Sequence, residues 1–98
     1  MSEYKHFEEV WEACEQFAAS QTGFSDSGPE TLIREISLKV GIYQSCLNQP
    51  ELKKEEFEKI KSHLLGEILF SMAALSMKEN INTFSGLLDT LQYKKTQV

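Results

Sequence analysis

From Ile60 to Met77 the chain reads IKSHLLGEILFSMAALSM, and its apolar side chains fall on almost every side of a helical wheel. A helix that is hydrophobic nearly all round has to be covered by other elements. No apolar run approaches the ~20 residues that a bilayer span requires. The segment is therefore expected to be the central helix of a bundle, and the rest of the chain must supply its cover. This third helix is expected over roughly 51–78, with the charged turns ELKKEEFEK projecting into solvent before Ile60.

The flanking segments also read as helices. Tyr4, Phe7, Val10, Trp11, Cys14, Phe17 and Ala18 recur at three- and four-residue steps with glutamates between them, which predicts an amphipathic helix over roughly 3–20. SQTGFSDSGP reads as a loop. Ser27 and Glu30 have the spacing of a capping box, and Pro29 suits a first helical turn. A second helix is expected over about 29–47, with Leu32, Ile33, Ile36, Val40, Tyr43 and Leu47 as its apolar face and Asn48 as a left-handed cap before Pro50. After Asn80-Ile81-Asn82, a fourth helix capped by Asn82 or Thr83 should turn Phe84, Leu87, Leu88 and Leu91 inward, leaving YKKTQV as a frayed tail. No strand alternation, repeat or linker interrupts this pattern. The fold class is all-α, a four-helix bundle within one domain over 1–98.

Composition narrows the partners. The 98 residues carry a net charge of −5, and the first thirty positions hold seven acids against one lysine. Such a surface repels phosphate backbones, which argues against DNA or RNA polymers. The acidic N-terminus is unlike a secretory signal. Cys14 and Cys46 lie on apolar stripes without a CxxC or a neighbouring histidine, so they read as small buried hydrophobes in a reducing cytoplasm. So short a chain buries only roughly two-thirds of its unfolded surface, and with an all-round apolar helix inside it, a homodimer or higher homo-oligomer is expected.

Two carboxylates depart from the solvated pattern. Glu67 falls among Ile60, Phe70 and Ala74, and Glu35 lies beside the apolar face of the second helix, between Ile42 and Cys46. A carboxylate withdrawn from water must be compensated. A cation between facing glutamates does this, and bundles build metal sites in that way. The alternative is local pairing, of Glu35 with Lys39 or of His63 with Glu67.

Around these residues the sequence resembles the MazG-like nucleotide pyrophosphohydrolases. HLLGEILFSMAALSMKENINTFSGLLDTLQYK, from His63 to Lys94, resembles that family's third and fourth helices, and LIREISLKVGIYQSC resembles its EExxE helix. The resemblance covers roughly residues 7–95. It implies an all-α bundle in which carboxylates bind magnesium, or manganese, against a nucleoside triphosphate that is hydrolysed to a monophosphate and pyrophosphate. Residue by residue, EExxE falls on Arg34 to Leu38 and keeps Glu35, while ExxD falls on Leu64 to Glu67 and keeps an acid only at Glu67. Two of the four carboxylate positions are thus acidic, and Arg34, Leu38 and Leu64 are departures. The implied metal ligands are Glu35 and Glu67, with His63, Lys94 and Lys95 as accessory groups and Glu30 and Ser71 as further candidates on spacing. Trp11 reads as core, although it could stack a base. Two functions follow as expectations: a magnesium-dependent pyrophosphohydrolase, or a helical dimer that has lost the chemistry and acts as a nucleotide-binding or protein-interaction module. A third is an unrelated helical interaction protein.

Overall fold

The computed structural model describes residues 6–49 and 53–97. Among them are four α-helices and no strand: α1 (Phe7–Ala19), α2 (Pro29–Cys46), α3 (Lys54–Glu79) and α4 (Thr83–Lys95). Tyr4, Pro50 and Glu51, which the sequence reading assigned to helical ends, lie outside the described residues. No helix among the described residues is long and apolar enough to cross a membrane.

As expected, α3 is the central element, with both α1 and α2 packed on it. Small side chains set the closeness of that packing. Ala73, Ala74, Ser71 and Ser76 are buried on α3, and Ala18 is buried on α1. Aromatic rings fill the space beside them. Phe17 meets Phe70 edge-on at 6.1 Å between centroids, and Phe7 lies 6.0 Å from the buried Trp11. Among the described residues no large side chain is fully buried. Much of the apolar surface that should drive folding is still in contact with water.

The helix ends correct several expectations. Gly28, not Ser27, occupies the N-cap of α2, and no side chain caps it. The Ser27 hydroxyl donates instead to the Gly23 carbonyl at 3.1 Å. Gly23 has φ +86°, a left-handed turn that glycine adopts without a Cβ clash. At the end of α2 the cap is Leu47 in right-handed geometry, and Asn48 is not a left-handed cap, although its N–H donates to the Ser45 carbonyl at 3.1 Å. The left-handed position belongs to Asn80 at the end of α3, with φ 55° and ψ 48°. There the Ile81 N–H reaches back to the Ser76 carbonyl at 3.0 Å and satisfies one of the last acceptors of α3.

The largest correction concerns α4. Its cap forms as expected, with the Ser85 N–H donating to Asn82 Oδ1 at 2.9 Å. The helix also runs on through Lys95, where a frayed tail was expected. Leu87, Leu88 and Leu91 are not inward, however: they are 57%, 51% and 47% exposed. The body holds α4 only near its start. Phe84 stacks on Phe7 at 6.3 Å, and the Thr83 and Ser76 hydroxyls share a short hydrogen bond. Since Ser76 donates its one hydrogen to the Met72 carbonyl, Thr83 is the donor in that pair. Beyond Phe84 every residue to Gln97 is exposed.

Candidate functional site

Of the two singled-out glutamates, Glu67 is half-buried and Glu35 is exposed. The reason lies in α2, which packs on α3 by one face, leaves Leu38, Val40 and Ile42 exposed, and has no fully buried residue. Glu35 opens onto a cavity of about 310 Å³ between the 20–28 loop, α2 and α3, bordered by Phe24, Leu32, Phe70, Ala74 and Lys78. Glu67 does not line that cavity.

Glu67 has a cation beside it, supplied by the chain. Lys39 Nζ lies 3.2 Å from Glu67 Oε2, and the two side chains are 22% and 44% exposed. The same ammonium donates to the hydroxyl of buried Ser71 at 3.0 Å. Three residues on two helices thus form a connected polar group at the α2–α3 contact: Lys39 offers hydrogens, and Glu67 and Ser71 accept them. The pairing that spacing suggested along α2, Glu35 with Lys39, is replaced by one across helices. His63 contributes little. Its Nε2 is 3.9 Å from Glu67 Oε1, beyond hydrogen-bond distance, and its side chain is 75% exposed.

Among the described residues no group of three His, Cys, Asp or Glu side chains is placed to hold a metal ion. Magnesium is commonly held by one or two carboxylates, with waters and phosphates completing its six oxygens; here Glu67 is engaged by an ammonium and Glu35 opens onto a cavity that Glu67 does not line. Glu30 is exposed in the first turn of α2. Lys94 and Lys95 stand in the last turn of α4, where positive charge complements the helix dipole, far along the chain from Glu67.

Sequence reading missed a second lysine. Lys78 donates to the Phe24 carbonyl and sits 4.2 Å above the Phe24 ring centroid, pinning the 20–28 loop to the end of α3. Nothing in the spacing marks it, since the two residues are separated by 54 positions. The cysteines are half-buried and unpaired, a milder burial than expected. Burial, with Glu15 beside it, pushes the Cys14 thiol above its ordinary range and keeps it protonated. Trp11 is core, as expected, but its edge also borders two surface depressions.

Comparison with family models, with curated proteins and with solved structures finds no match to this chain.

Proposed function

We propose that the chain is a helical association module with the architecture it resembles, that of the MazG-like nucleotide pyrophosphohydrolases, and that a lysine supplies the positive charge where that family places a metal. The observation that carries this reading is the Lys39 ammonium 3.2 Å from Glu67. A carboxylate in that position, partly withdrawn from water, gains modestly from a cation beside it. A covalently attached one is always present, requires no nucleotide to complete its coordination, and frees the fold from the chemistry. The departures at Arg34, Leu38 and Leu64 remove further carboxylates from the same region. The exposed apolar side chains of α4 offer a surface through which such a module associates. A cytoplasmic setting suits its two free cysteines.

One observation favours a second reading, in which Glu35 and Glu67 hold magnesium against a nucleoside triphosphate. The Glu67 side chain is 44% exposed, open enough for an ion to compete with Lys39. Thermal unfolding with magnesium or manganese and a non-hydrolysable triphosphate separates the two readings. A ligand present at a hundred times its dissociation constant adds about 2.7 kcal/mol to the native state, so binding is plain to see. The association reading expects no shift in the wild type. It also expects no pyrophosphate release from canonical or modified triphosphates, and a Lys39→Met variant destabilised by up to about 1 kcal/mol, as suits a partly exposed pair. A shift that disappears in Glu35→Ala/Glu67→Ala, together with pyrophosphate release, establishes the hydrolase instead.

A further inference from the structure

Beside the start of α4 two surfaces meet. One is an apolar cleft of about 170 Å³ bordered by Phe7, Trp11, Leu69, Met72, Phe84 and Leu87. The other is a groove of about 610 Å³ in which Glu8, Glu12 and Glu15 of α1 face Ser85 and Leu88 of α4. The far end of α4 carries Lys94 and Lys95, ~17–18 Å from Thr83 at 1.5 Å per residue. Leu88, Leu91 and Lys95 follow one another at three- and four-residue steps, so one side of α4 runs from exposed leucines to a positive end.

The exposed area says how much cover is missing. The chain presents 7796 Å² to solvent. A compact monomer of 11.2 kDa presents about 5,700 Å², which leaves an excess of roughly 2,100 Å². Part of that excess lies on α2, where Ile33, Leu38, Val40, Ile42 and Leu47 are exposed; covering half of it on each of two copies would bury roughly 2,100 Å² between them, enough for a stable specific interface.

We propose that the occupant of this face is α4 of a second copy, packed antiparallel about a two-fold axis midway along the helix. This rests on the association reading above and names its partner. The antiparallel arrangement lays the Leu88 and Leu91 stripe of each copy on that of the other, alongside the groove that Leu88 borders. It also brings Lys94 and Lys95 of each copy beside Thr83–Ser85 of the other, at the rim of the groove where Glu8, Glu12 and Glu15 stand. A parallel pair would set lysines against lysines. One chain carries both halves of the charge match, and a two-fold axis uses both halves twice. That is why the partner is a second copy and not a foreign helix.

Sedimentation at micromolar concentration tests the proposal with wild-type protein, a Lys94→Glu/Lys95→Glu variant and a Glu8→Lys/Glu12→Lys variant, all substituted at exposed positions. The wild type is expected to be a dimer, and each variant alone to dimerise at least about tenfold more weakly, since like charges now oppose each other. An equimolar mixture of the two variants is expected to restore a heterodimer, because every reversed acid then meets a reversed lysine. That restoration also shows that both variants are folded. A wild-type monomer overturns this proposal and the association reading together. A wild-type dimer that neither variant weakens, or a mixture that stays dissociated, overturns the α4 arrangement and leaves the association reading standing.

Discussion

Lys39 stands one turn after Glu35 on α2, yet it pairs with Glu67 on α3. The magnitudes explain the choice. An exposed pair along one helix is worth a few tenths of a kcal/mol. Ser71 is buried, so leaving its hydroxyl without a partner costs more than that, and Glu67 beside it is partly withdrawn from water. The ammonium serves both. Glu67 was legible in the sequence as an acid that wants a partner, a metal ion or His63, because its neighbours on the wheel are apolar. The identity of the cation was not, because the rotation of α2 against α3 is set by packing that no local spacing records. Cys14 offers a test at the same scale. Its raised pKa means that the fold favours the thiol over the thiolate. The stabilising contribution is therefore complete below the unfolded-state pKa and is lost as pH rises through the higher folded-state value. Alkylation of Cys14 by iodoacetamide at about pH 8 is expected to be slower in the native protein than in denaturant, because the thiolate is the nucleophile. Equal rates would contradict the assignment.

The four helices were readable because their apolar residues keep a three- and four-residue period, and their cores were placed within a few residues. Their ends were less so. Asn82 caps α4 as its position before Thr83 implied, whereas Ser27 was drawn away from α2 by the left-handed turn at Gly23. Both residues are good caps in isolation. What decides between them is the path of the preceding chain: after Asn80 it leads straight into the helix, and after Gly23 it folds back on itself. Because α4 has little besides this cap and the contacts of Thr83 and Phe84 to hold its first turn, Asn82→Ala is expected to cost about 1 kcal/mol. The loss should be local. Amide exchange should quicken across α4 while the amides of central α3 keep their protection; a uniform loss across both helices would mean that α4 unfolds only with the body.

For the whole molecule, the Cα radius of gyration is 15.7 Å, against about 13 Å for a compact chain of 100 residues. The excess follows from α4 and from the open face of α2. Length and pattern already implied that an all-round apolar α3 needed more cover than one short chain gives. They could not say which face would be left bare, since Leu87, Leu88 and Leu91 carry the same period whether they meet the body of their own chain or that of another. If association supplies the cover, native stability depends on mass action. The unfolding midpoint is expected to rise with protein concentration, and a midpoint constant over a hundredfold range would argue for a stable monomer. Trp11, the only tryptophan in the sequence, borders both the apolar cleft and the acidic groove. The chain thus carries its single indole, separable from its three tyrosines by excitation wavelength, at the seam between the two surfaces, where arrival of a neighbour would change the polarity around the ring and report itself without any label.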